Sequence, residues 1–191
     1  MNPPNDQIYI DKVKAGDVAS FSHLVERYKD MAYTVALKIL RNSEDAEEVA
    51  QDSFVKAFQQ LNTFQGKSKF STWLYTIVYR TAISRTRKKK LEVTDIDGYV
   101  LNSYTTESSS SQIDALTHEE QQKYIALAID KLPELDALFV TLFYINDNTL
   151  DEIKDITGYS KTNVKVRLFR ARKKLYKLLE QLLQHEVKTI L

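Results

Sequence analysis

The chain has 191 residues and no cysteine, with only four glycines, three prolines and one tryptophan. Without cysteine there can be no disulfide, thiolate zinc site, iron–sulfur cluster or thiol nucleophile. Its three histidines, His23, His118 and His185, stand far apart. The sequence offers no histidine–nucleophile pairing, no metal-ligand spacing and no glycine-rich phosphate loop. It therefore carries no candidate catalytic residue, metal ligand or cofactor site, and the reading is of a protein that is not an enzyme. No apolar run approaches the ~20 residues that span a bilayer, and Met1-Asn2-Pro3-Pro4-Asn5 is unlike a signal peptide. A cytoplasmic protein without membrane insertion is expected. Hydrophobic residues still make up 43% of the chain, enough for packed cores.

Charge is unevenly distributed. Lys and Arg number 27 against 26 Asp and Glu, a net of +1. Residues 1–90 carry 15 basic and 10 acidic side chains, residues 91–122 none and 7, and residues 123–191 12 and 9. A basic, acidic, basic succession bears on partners rather than on fold.

With so little glycine and proline, helical periodicity runs through most of the sequence. Helices are expected near 5–15, 18–41, 44–61 and 70–90, with Ser43 as N-cap of the third. Leu91 to about Thr117 contains Thr105-Thr106-Glu107-Ser108-Ser109-Ser110-Ser111 and reads as a linker. Helices resume near 118–131, 133–146 with Pro133 at the first helical position, 150–157 and 161–183. The fold class is all-α. Two helical domains, 1–90 and 118–191, are joined by a flexible acidic linker over 91–117. Roughly 25 residues span roughly 25–30 Å as a coil, so the two domains can hold separate places on one target.

Near the C-terminus, Thr149-Leu150-Asp151-Glu152 matches a capping box, and Thr157-Gly158-Tyr159-Ser160 is a tight turn with Ser160 able to cap the next helix. In that helix Val164, Leu168, Ala171, Leu175, Leu178 and Leu182 fall on one side. Thr162, Val166, Phe169, Arg170 and Lys173 lie opposite, flanked by Lys165, Arg167, Arg172 and Lys174. A helix, a glycine turn and a helix with a basic outer face form the arrangement that enters a DNA major groove. Arginine can neutralise phosphate or read guanine bidentately, and Phe169 and the Thr162 methyl suit thymine methyl groups. An ordinary solvated basic face accounts for the charges alone, but seldom carries an outward phenylalanine.

The third helix carries Ala46, Ala50, Phe54, Ala57, Phe58 and Leu61 on a buried stripe. Asp45, Glu48 and Asp52 sit opposite, with Val49, Val55 and Gln59 nearby. An acidic face with an apolar strip suits docking onto a basic protein helix; a solubilising surface fits the same composition. From Ser53 to Leu91 there are nine basic residues and no acidic one, interleaved with Phe64, Phe70, Trp73, Tyr75 and Tyr79. Positive charge with aromatic rings suits single-stranded nucleic acid, whose bases stack on them. Phe70, Leu74, Ile77 and Thr81 share a core face, and Trp73 alone reads as packing more readily than as a stacking platform.

Two stretches together resemble a known family. Asp45-Ala46-Glu47-Glu48-Val49-Ala50-Gln51-Asp52-Ser53-Phe54-Val55-Lys56-Ala57-Phe58, followed by Phe64-Gln65-Gly66 and Phe70-Ser71-Thr72-Trp73-Leu74, resembles conserved region two of extracytoplasmic-function sigma factors. Leu132-Pro133-Glu134, Glu152-Ile153 and the run Val164 to Leu175 resemble their region four. The resemblance implies a dissociable RNA polymerase subunit that selects promoters. It implies docking on the β′ coiled coil through Asp45, Glu48, Gln51, Asp52 and Val55, and a contact with the β flap. It further implies capture of the −10 element as single strand by Asn62, Lys69, Ser71, Trp73, Thr76, Tyr79 and Arg80. Duplex −35 DNA would be read by Thr162, Lys165, Val166, Arg167, Phe169, Arg170 and Lys173, with Lys165, Val166, Phe169 and Arg170 toward the bases. An anti-sigma factor is a partner common in the family.

Arg80 and Ser84 stand where many relatives have Asn and Asp, Thr162-Asn163 replaces a common Gly-Thr, and Val166 replaces a frequent Ser. These departures bear on which promoter sequence is read. The alternative is a two-domain helix-turn-helix regulator that binds paired half-sites as a homodimer without polymerase.

Overall fold

The computed structural model describes residues 6–92 and 117–190, with side chains placed for 6–88 and 117–183. Among these residues only helices and turns occur. α1 is Asp6–Lys14; a 3₁₀ turn at Val18–Ser20 leads into α2, Phe21–Leu40; α3 is Ser43–Gln60; a second 3₁₀ turn, Leu61–Thr63, precedes α4, Phe70–Glu92. The second half holds α5 His118–Asp130, α6 Glu134–Val140 continued by a π turn Thr141–Ile145, α7 Leu150–Thr157 and α8 Lys161–Ile190. The expected linker, apart from its ends, lies outside the described residues.

Helix ends follow local chemistry. Arg41 adopts a left-handed conformation (φ 55°) that closes α2 and leaves Asn42 extended, so Asn42, not Ser43, caps α3: its Oδ1 accepts from the Asp45 amide at 2.9 Å. Pro133 is likewise the N-cap of α6 rather than its first residue. Capping boxes form at Thr117/Glu120 and at Thr149/Glu152, and Gly158 at φ 76° ends α7, where a side chain would strain the backbone.

α2, α3 and α4 pack against one another around Leu24, Val35, Ala46, Ala57, Leu74 and Val78. α6, α7 and α8 assemble around Phe139, Leu142, Ile153, Ile156, Val164 and Leu168. Sequence reasoning expected two tethered units; here α7 lies on α4, α6 lies on α2, and the two sets of apolar side chains join in one cluster. α4 departs from its expected core face. Ile77 and Thr81 are only half-buried, while Val78 and Ala82 continue the core from Phe70 and Leu74.

Candidate polymerase and nucleic-acid interfaces

α8 presents the outer face expected of it. The Ser160 hydroxyl accepts from the Asn163 amide at 3.2 Å and starts the helix. Val164, Leu168 and Ala171 are buried, whereas Thr162, Lys165, Arg170 and Lys173 are exposed. Phe169 is 53% and Val166 42% exposed, and the Lys173 ammonium lies 4.8 Å from the centre of the Phe169 ring. An apolar pair in water, edged by cations, is an arrangement that stability does not require.

Arg167 sits differently. Its guanidinium donates to Asp136 Oδ1 at 3.0 Å and stacks over the Phe139 and Tyr159 rings at 5.6 and 5.7 Å. Lys174 donates to the other oxygen of Asp136 at 2.7 Å. Asp136, only 4% exposed, thus fastens α8 to α6 and draws two cations toward the body of the protein. Sequence reasoning missed it; an acidic residue set between Leu135 and Ala137, in a run that is otherwise apolar, was the available signal.

On α4, Trp73 is half-buried against Phe64 and Phe70, at ring distances of 5.3 and 5.7 Å, so most of its contact is with the core. Asn62 and Arg80 are exposed and Ser71 is half-buried. Lys69, Thr76 and Tyr79 meet the second half of the chain. Lys69 pairs with Glu152 at 2.9 Å, and the Thr76 hydroxyl reaches the Thr72 carbonyl at 2.9 Å and the Asp155 carbonyl at 3.4 Å. Tyr79 is half-buried; burial, then the neighbouring Tyr159, raises its pKa against the opposing pull of Arg167 and Arg87.

The acidic face of α3 is partly committed within the fold. Asp45 is buried and accepts from Arg85 of α4 at 3.2 Å, and Glu48 accepts from the same guanidinium. Gln51 and Asp52 are exposed, and Val55 is 55% exposed. Val49, expected near that face, is buried, while Phe58, expected in the core, is partly exposed with its ring edge-on to Phe21 at 5.2 Å. Val18, Phe21, Val25, Phe54, Val55 and Phe58 line an open apolar groove beside Gln51 and Asp52.

The Sigma-70 region 2 family description matches residues 24–92, and that of Sigma-70 region 4 matches residues 122–175. The chain is 35% identical over 179 residues to the ECF RNA polymerase sigma factor SigW of Bacillus subtilis, covering 91% of this chain and 96% of that one. The chain belongs to the extracytoplasmic-function sigma factors. It is also 29% identical over 173 residues to the ECF RNA polymerase sigma-E factor of Salmonella typhimurium, covering 87% and 90% of the two chains. Among solved structures, CnrH in complex with the cytosolic domain of CnrY shares the fold at a TM-score of 0.62 and 23% identity, over 92% of this chain and 97% of that one. RpoE in complex with the anti-sigma factor NepR from Bartonella quintana does so at 0.64 and 23%, over 84% and 96%. As a member of this family the protein binds RNA polymerase core and directs initiation at promoters. The family is not a family of enzymes. No described helix is long and apolar enough to cross a membrane.

Proposed function

We propose that this sigma factor divides its work among three surfaces. The outer face of α8, with Thr162, Lys165, Val166, Phe169, Arg170 and Lys173, enters the major groove of the −35 element. The exposed aromatic Phe169 flanked by cations carries this reading, because it combines an apolar contact for thymine methyls with donors for guanine and phosphate. Arg167 supports the helix from Asp136 instead of touching bases. The start of α4 and the turn before it, with Asn62, Lys69, Ser71, Trp73, Thr76, Tyr79 and Arg80, receive unpaired bases of the −10 element. Single strand bound there and duplex not bound shifts the promoter toward melting. Gln51, Asp52 and Val55, with the apolar groove ending at Phe58, dock on the β′ coiled coil, while Asp45 and Glu48 act mainly through Arg85 to hold α3 on α4.

The protein works in the cytoplasm by binding, without a chemical step of its own. The proposed domains are 1–90, a limit that falls two residues before α4 ends at Glu92, and 118–191, which starts with α5 at His118. A dissociable inhibitor of the anti-sigma class, such as the NepR bound to RpoE, is a fitting partner.

The −35 assignment is tested with holoenzyme on a promoter library randomised at that element. Val166→Ala and Phe169→Ala should relax selection at individual positions. A uniform loss over all sequences would make this face a phosphate contact only.

A further inference from the structure

The turn between α3 and α4, proposed to hold unpaired bases, carries most of its side chains outward. Asn62, Lys67 and Lys69 are exposed, and of residues 61–70 only Leu61, Phe64 and Phe70 are buried. The Phe64 ring fixes the turn from within, edge-on to Phe70 at 5.8 Å and tilted against Trp73 at 5.3 Å. One ring is a single anchor, about which the backbone can still pivot.

A second anchor comes from α1. The Lys14 ammonium donates to the Phe64 carbonyl at 2.7 Å, across 50 residues of chain. A charged donor on a peptide oxygen makes a short bond, stronger than one between neutral groups. Gln7 stands seven residues before Lys14, two helical turns away on the same face. Its Oε1 lies 4.0 Å from the point where a side chain on Gly66 would begin. Ile10, between them on that stripe, is 1% exposed. α1 therefore approaches the turn at both Phe64 and Gly66. Its start is fastened to α2: Asp6 pairs with Arg27 and accepts from the Tyr28 hydroxyl at 2.6 Å, and the Arg27 guanidinium lies over the Tyr9 ring at 5.6 Å. Held in this way, α1 is a strut from the first helical bundle to the turn.

We propose that Lys14 is a positioning residue for the −10 strand. Through the Phe64 carbonyl it sets the turn in the geometry in which Asn62 and Lys69 meet unpaired bases, without touching DNA itself. The proposal rests on the assignment of that turn to the −10 element. A lysine that served only solubility would extend its ammonium into water rather than turn it onto the backbone of a distant segment. Choice between bases depends on small displacements, and a turn arranged beforehand avoids the cost of ordering it at binding.

Lys14→Met keeps the aliphatic stem and removes the donor, whereas Lys14→Arg keeps a donor. Each full-length variant is assembled with core polymerase and run on promoter libraries randomised at the −10 or at the −35 element. In Lys14→Met, discrimination among −10 sequences should fall about twofold to tenfold, the range one net hydrogen bond confers, and it should recover in Lys14→Arg. Core binding, −35 selection and the salt dependence of promoter binding should match the parent. A salt slope reduced by about 1 would mark Lys14 as a phosphate contact and overturn the positioning role. Unchanged −10 selection, or equal losses at both elements with a lower melting temperature, would overturn it as well. Failure of the underlying assignment is distinct: Asn62→Ala and Lys69→Ala would then also leave −10 selection intact, and the role of Lys14 falls with it.

Discussion

Asp136 sorts the cations of α8 into two groups. Arg167 and Lys174 are held on its carboxylate, while Lys165, Arg170 and Lys173 remain at the surface. Losing that carboxylate leaves its two partners able to reach phosphate. In Asp136→Asn holoenzyme the slope of log affinity against log salt should steepen by up to about 2, and the ratio of specific to nonspecific binding should fall. Thermal stability measured alongside separates this from plain unfolding: a lower melting point with an unchanged salt slope would show that Asp136 serves packing alone. Arg170 has the opposite expectation. Arg170→Ala should cost about 1–3 kcal/mol at the cognate −35 element and little elsewhere, measured by competition between promoter fragments.

At the level of single elements, α7 is short and depends on its ends. Thr149 and Glu152 close its N-terminus reciprocally, and Gly158 closes the other end at φ 76°. Thr149→Ala should cost about 1 kcal/mol of unfolding free energy. Gly158→Ala should cost about 1–2 kcal/mol through backbone strain alone, because open space surrounds its missing Cβ. Partial burial raises the Glu152 pKa, but the Thr149 amide and hydroxyl and Lys69 together outweigh it and leave the carboxyl below its ordinary value. A depressed carboxyl stabilises the fold above the unfolded pKa, about 4.3, and that contribution disappears as pH falls through the folded value. Chemical denaturation of Glu152→Gln between neutral and acid pH should therefore show a shallower acid loss than the parent. Equal slopes would place the acid sensitivity elsewhere.

These elements were also where the sequence was most readable. Thr149, Glu152 and Gly158 act on neighbours within four residues, so pattern alone located α7, and the buried stripe from Val164 through Ala171 emerged from period 3.6. What escaped were pairings between distant positions. Asp45 reads as an outward acid until Arg85, 40 residues on, is seen to meet it. Arg167 reads as a DNA contact until Asp136 and the rings of Phe139 and Tyr159 surround it. Phe58 follows the core period of α3, yet its ring lies against Phe21 at the start of α2 and beside Val55 in an open groove.

For the whole molecule, basic halves and an acidic middle suit a large target that both halves grip at once. A target spaced to fit both halves holds both, and each contact then raises the effective concentration of the other. The most direct measurement of this account is run-off transcription by purified core polymerase, with and without the full chain, over promoter fragments in which the −35 or the −10 element is replaced. The account predicts start-site-selective transcripts only with the chain present, lost when either element is replaced. Transcription indifferent to the chain, or tight binding of palindromic duplex by the chain as a dimer without polymerase, would contradict it.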